Sequence, residues 1–150
     1  MSPTTATMSI VDVLNKQVAN WSVLYMKLHH FHWYVKGADF FTLHAKFEEL
    51  YTEAGSTMDL LAERILALKG KPASMLKDQL SLASVKEAKG GESADQMVKA
   101  TIADFETMIG ELEKGVEAAE KEGDSSTADM LTGIRTSLEK HVWMLQAFSG

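Results

Sequence analysis

The sequence predicts an all-α domain, a bundle of four long amphipathic helices with one long crossover between the second and the third. Three observations predict it. Apolar residues recur at intervals of three and four over four long stretches. No stretch alternates apolar and polar residues with the period of two that a half-buried strand shows. Residues 70–93, between the second and third stretches, are mostly polar and too many for a tight hairpin. With 150 residues, 45% of them hydrophobic, the chain can bury one substantial core, so one domain over 1–150 is expected.

The elements follow in order. Residues 1–8 begin small and polar, with Pro3, and are expected to form a short flexible tail. Ser9 is a candidate N-cap for the first helix, whose apolar positions Val11, Leu14, Val18, Trp21, Tyr25 and Leu28 lead to His32 and Val35 and end near Gly37. Gly37, Ala38 and Asp39 form a turn, with Asp39 as the candidate N-cap of the second helix. That helix runs through Phe40, Leu43, Phe47, Leu50, Tyr51, Met58, Leu61, Ile65 and Leu68, with no break before Gly70. Gly55 stands in its interior, at a cost of about 1 kcal/mol relative to alanine. Two readings fit it: the close approach of another backbone, as where two copies of the helix cross, or a tolerated surface glycine.

Lys69, Gly70, Lys71 and Pro72 stop the second helix. In the crossover, Met75, Leu76, Leu80 and Leu82 form the one apolar cluster, enough for a single short helix. The third long helix is expected from about Ala94 to Glu122 through Val98, Ile102, Phe105, Ile109, Leu112 and Val116. Gly123 and Asp124 close it, and the fourth carries Leu131, Ile134, Leu138, Val142, Leu145 and Phe148.

Composition excludes several functions. There is no cysteine, so any metal must bind through imidazole and carboxylate, which favours iron, manganese or zinc. The formal charge is −6, against a surface that clamps nucleic acid throughout. Between Asp104 and Asp129 nine acidic residues face Lys114 and Lys121, a local balance of 2 − 9 = −7, read as a solvated helix face that can attract cations. No apolar run approaches the ~20 residues of a membrane span, and the N-terminus has no basic region followed by an apolar one. A cytoplasmic protein without membrane contact is the expectation.

The chemistry concentrates in the first two helices. His32 continues an apolar seam, so it should face other helices. A lone histidine there is more often a core residue held by a neighbouring hydrogen bond, but His32 is accompanied by His44, Glu48, Asp59 and Glu63. His29 and His30 lack such company and read as surface or interface residues. His44 and Glu48 are one helical turn apart, as are Asp59 and Glu63, so each pair can present two ligands from one face. At 1.5 Å rise per residue, fifteen positions separate His44 from Asp59 by roughly 22 Å. One straight helix cannot bring both pairs to one metal. Either the pairs serve different purposes, or a second copy of the helix, running antiparallel about a two-fold axis, brings them together. No glutamate is followed three positions later by histidine, so the bundle interior lacks the Glu-x-x-His ligand motif of di-iron carboxylate bundles.

The run His32-Trp33-Tyr34-Val35-Lys36-Gly37, then Phe41-x-x-His44-x-x-x-Glu48, then Asp59-x-x-Ala62-Glu63-Arg64, resembles the signature of the Dps family of mini-ferritins, the DNA-binding proteins from starved cells. The spacing needs no insertion, and the likeness extends to Lys140-His141-Val142-Trp143. The resemblance implies a ferritin-like four-helix subunit, a homo-dodecamer and a di-iron ferroxidase centre shared between two-fold-related subunits. It implies that His32, His44 and Glu48 come from one subunit and Asp59 and Glu63 from its mate, with Asp59 and Glu63 holding the first iron and Glu48 nearer the second. Hydrogen peroxide is then the preferred oxidant over dioxygen, and iron(III) is stored as mineral in the central cavity, which protects DNA.

By the same resemblance Asp124 and Asp129 line an iron-entry pore, with helix capping as their plainer reading, and Glu49 and Glu53 are candidates for mineral nucleation. Trp33 either supplies or quenches a radical or is a packed aromatic. Many members carry Asp where this chain has Glu48, a longer side chain with the same hard oxygen. DNA binding in the family often goes with a lysine-rich extension, which neither end of this sequence has, so weak or no DNA binding is expected. The alternative is a nucleoid-associated protein that compacts DNA, with iron binding secondary.

Overall fold

The computed structural model describes residues 9–150, and the expected tail 1–8 lies outside them. Among the described residues there are five helices and no strand: α1 (Ile10–Tyr34), α2 (Phe40–Ala67), the short α3 (Leu76–Leu82), α4 (Ala94–Lys121) and α5 (Ser125–Ser149). The α1/α2 and α4/α5 pairs form two closely packed hairpins, and the crossover between them lays α3 against α1.

The caps explain the boundaries. Ser9 accepts from Asp12 N, and Ser93 builds a reciprocal capping box with Gln96 at the start of α4. Asp39 occupies the N-cap position of α2 but makes no capping hydrogen bond with its side chain. At the end of α4, Gly123 N donates to Glu120 O and Asp124 N to Ala119 O, with Gly123 left-handed at φ 73°, a Schellman closure. At the end of α2 the same pattern places Lys69 in the left-handed position, at φ 68°. Gly70 is needed one position later, because a Cβ there would lie 3.0 Å from methyls of Val11 and Ile65.

The core between the hairpins is aromatic at its centre, with Trp21, Phe31, Phe47 and Phe105 essentially without exposure. Polar ties cross it. Lys27 Nζ donates to Asp104 at 2.7 Å and to Lys86 O at 2.8 Å, and burial still pushes the Asp104 carboxyl up. Glu111 accepts from Gln17, Asn20 and Ser84, and Asn20 Oδ1 in turn accepts from Ser84 N, which fastens the crossover to α1 and α4.

At Gly55 a Cβ would meet the Tyr25 ring at 3.0 Å, so a side chain of α1 lies close against this glycine. In α3 the apolar cluster points outward, with Leu76 at 75% exposure. The buried residue is Gln79, which accepts from Ser22 Oγ and donates to Ala73 O. Among the described residues no helix is long and apolar enough to cross a membrane.

Candidate metal centre

The end of α1 and the start of α2 are clasped by two histidines. The His32 and His44 rings stack with centroids 3.7 Å apart and planes 12° apart. His32 Nδ1 donates to His44 O at 2.7 Å, and His44 Nδ1 donates to His32 O at 2.8 Å. His32 O belongs to the last turn of α1, where carbonyls lack intrahelical partners, so His44 satisfies a helix end as well as facing its neighbour. A carbonyl only accepts, so both Nδ1 atoms carry the proton, and both Nε2 lone pairs are left for another partner. Metal-binding imidazoles are oriented by this kind of hydrogen bond.

Rings continue along the α1/α2 seam. Phe40 stacks on His44 at 4.8 Å, Tyr51 stands edge-on to His32 at 5.2 Å, and His29 stacks on Tyr51 at 3.5 Å. His29 Nδ1 donates to Tyr25 O at 2.7 Å. His29, expected at a surface or interface, is thus half-buried and built into the wall of the site. Burial first, then the charge of Glu48 and the neighbouring Tyr25, raises the Tyr51 phenol above its ordinary range. Trp33 is 60% exposed and packs on His29 at 5.3 Å, an aromatic with one free face.

Glu48 lies one turn beyond His44 and is exposed, as are Asp59 and Glu63 further along. The unbroken α2 keeps the second pair roughly 22 Å from the first, as its rise per residue requires. Among the described residues no three His, Asp or Glu side chains come together to hold a metal within one subunit. The structure therefore joins His32 to His44 and leaves Asp59 and Glu63 apart from them.

Next to Glu63, Arg64 donates from Nε to Thr127 Oγ1 at 3.0 Å and from Nη2 to Asp124 at 3.1 Å. Asp124 also caps α5, accepting from Thr127 N and Oγ1. These bonds, Thr127 first, hold its carboxyl below the usual range. Of the two pore candidates, Asp124 is committed to capping and to Arg64, and Asp129 is exposed on the first turns of α5. Of the two nucleation candidates, Glu49 is exposed and pairs with Lys46 at 3.1 Å. Glu53 has both oxygens engaged inside the bundle, by His141 Nε2 at 2.9 Å and Ser137 Oγ at 2.9 Å. The His141 bond outweighs burial and lowers the Glu53 pKa. Sequence reading missed His141 and Arg64 as partners, because Arg64 pairs with residues 60 and 63 positions away and His141 with one 88 positions away, at no fixed spacing.

The donor set of two oriented imidazoles with separate exposed carboxylates suits a borderline or hard divalent ion. A ferritin-like domain model matches residues 11–150. The chain is 58% identical over 139 residues to DNA protection during starvation protein 2 of Bacillus anthracis, covering 93% of this chain and 95% of that protein. It superposes with TM-score 0.93 on the crystal structure of a Dps protein from Bacillus brevis, 55% identical, covering 94% of this chain and 95% of that one. It also superposes, with TM-score 0.92 and 42% identity, on a Listeria innocua Dps in which two histidines twelve positions apart are replaced by glycine, with 95% of each chain covered.

Proposed function

This chain belongs to the Dps family of ferritin-like proteins, and on that premise we propose that it is a ferroxidase and iron store. Its substrates are iron(II) and, in preference to dioxygen, hydrogen peroxide. The observation that carries the reading is the His32–His44 clasp, which aims two Nε2 lone pairs outward beside an exposed Glu48, while the matching carboxylates Asp59 and Glu63 stand alone on the same helix. A two-fold mate with α2 antiparallel brings its Asp59 and Glu63 to this subunit's His32, His44 and Glu48, and each dimer then carries two complete centres. Large apolar side chains left exposed on α1, α2 and α3, among them Met26, Trp33, Leu60, Leu76 and Leu80, suit burial against other subunits of a homo-dodecamer. The histidine spacing replaced in the Listeria innocua Dps equals the interval between His32 and His44, which supports the same pair here.

In the reaction two iron(II) ions each give one electron to one peroxide. The O–O bond breaks and two protons are taken up: 2 Fe(II) + H2O2 + 2 H+ give 2 Fe(III) + 2 H2O. The carboxylates favour the more highly charged product, and no one-electron fragment of peroxide is released. Iron(III) then passes to a mineral in the assembly cavity. DNA is protected in the cytoplasm because both Fenton reagents are consumed, without a requirement for tight DNA binding. Several relatives are named for DNA protection during starvation. The test is anaerobic mixing of the assembled protein with iron(II) and peroxide. Stoichiometric oxidation with a fast phase is expected, and Asp59→Ala with Glu63→Ala should abolish that phase. Wild-type rates in the double variant would overturn the ligand assignment.

A further inference from the structure

His44, Glu48 and Tyr51 lie at positions i, i+4 and i+7 of α2, so they share one face. The Tyr51 ring stands at 85° to the His32 ring at 5.2 Å, stacks on the His29 ring at 3.5 Å and 19°, and meets the Tyr25 ring edge-on at 6.1 Å. His29 is itself fixed, by its Nδ1 donating to Tyr25 O. Tyr51 is thus held between two anchored imidazoles, one of which is a proposed iron ligand. The ring is half-buried, but its hydroxyl is not among the side-chain atoms sealed from solvent without a partner, so it is open to a bound molecule. A phenol, with an ordinary pKa of about 10, is a hydrogen-bond donor at neutral pH.

We propose that Tyr51 is a specificity-determining residue of the oxidation: its hydroxyl donates a hydrogen bond to hydrogen peroxide bound beside His32, His44 and Glu48. The inference rests on the ferroxidase reading above. Peroxide carries lone pairs on both oxygens and develops negative charge on the departing one as the O–O bond breaks, so a fixed neutral donor favours it. Dioxygen is a far poorer acceptor and gains little. Electrons still come from two iron(II) ions and protons from solvent. The Tyr51 O–H bond is not broken.

Tyr51→Phe removes one oxygen and keeps the stack on His29, so folding and assembly should be preserved. With the assembled protein, stopped-flow oxidation of iron(II) under argon should show kcat/KM for peroxide reduced about tenfold, the equivalent of one hydrogen bond, with the loss in kcat because the bond strengthens as O–O breaks. The rate with dioxygen and the affinity for cobalt(II) should change less than about twofold, so the peroxide-to-dioxygen ratio falls about tenfold. An unchanged peroxide kcat/KM would overturn the proposal. So would a loss shared equally by dioxygen and cobalt(II), which would mark Tyr51 as merely structural. Asp59→Ala with Glu63→Ala, run in parallel, separates the two levels: if that variant oxidises iron normally, the site reading fails whatever Tyr51 does.

Discussion

Replacing His44 by phenylalanine separates the two tasks that the imidazole clasp performs. Phenylalanine can keep the stack between Phe40 and His32, whose ring centroids lie 4.8 and 3.7 Å from that of His44. It loses the Nδ1 bond to His32 O, 2.8 Å long and part-buried, and it loses Nε2. One neutral hydrogen bond of this kind contributes about 1 kcal/mol net. In a chain of this size that amount lowers the unfolding midpoint by about 2–4 °C. The effect on metal binding should be far larger, because one of two oriented imidazole donors is gone. The assay is paired: thermal unfolding of the chelator-treated protein by circular dichroism, and cobalt(II) titration of the same preparation. A drop of a few degrees with at least about tenfold weaker cobalt(II) binding is expected, by analogy with the cost of disturbing ligands and their supports. Unchanged cobalt(II) affinity with an intact fold would refute the assignment of His44 Nε2. Unchanged stability would refute the claim that the clasp holds α1 to α2.

Other perturbations probe the scaffold. Gly115→Ala places a Cβ 2.8 Å from Val13 and 3.0 Å from Leu131, where α1, α4 and α5 meet. Overpacking of about 1–3 kcal/mol should exceed the gain of about 1 kcal/mol in helix propensity, and a midpoint at or above wild type in calorimetry would contradict that packing. The Glu53 carboxyl is held below its unfolded value, so its contribution is complete above the ordinary glutamate pKa and is lost as pH falls through the lower folded value. Glu53→Gln should therefore flatten the acid limb of stability below about pH 4.5, measured by urea unfolding at stepped pH. An acid limb identical to wild type would show that the His141 pair does not carry it.

Much of this was legible in the sequence because it is local. The three-and-four periodicity and the Ser9 and Gly123 signals place the helices within a few residues, since capping depends on neighbours in the chain. His32, His44, Glu48, Asp59 and Glu63 stood out by helical spacing, and the 22 Å argument needed only the rise of an unbroken α2. What escaped is long-range. Glu53 was singled out only as a candidate for mineral nucleation, and nothing local announces its pairing with His141, eighty-eight positions away. Gly55 left two readings open, a close neighbour or a tolerated surface glycine, and only the fold shows the Tyr25 ring against it. The anchor of the crossover is of the same kind: Gln79 accepts from Ser22 of α1, which holds α3 and leaves its leucines outside.

The central claim, that each centre is completed by two subunits, is tested most directly by mixing defective halves. Subunits with His32→Ala and His44→Ala and subunits with Asp59→Ala and Glu63→Ala should each assemble without fast iron oxidation. Dissociated, combined one to one and reassembled, half of the dimers pair unlike subunits, and each of these carries one intact centre of two. About one quarter of wild-type activity should then return, with mixed assemblies verified by native mass spectrometry. Mixed assemblies as inactive as their parents would contradict a shared centre and place the chemistry within single subunits.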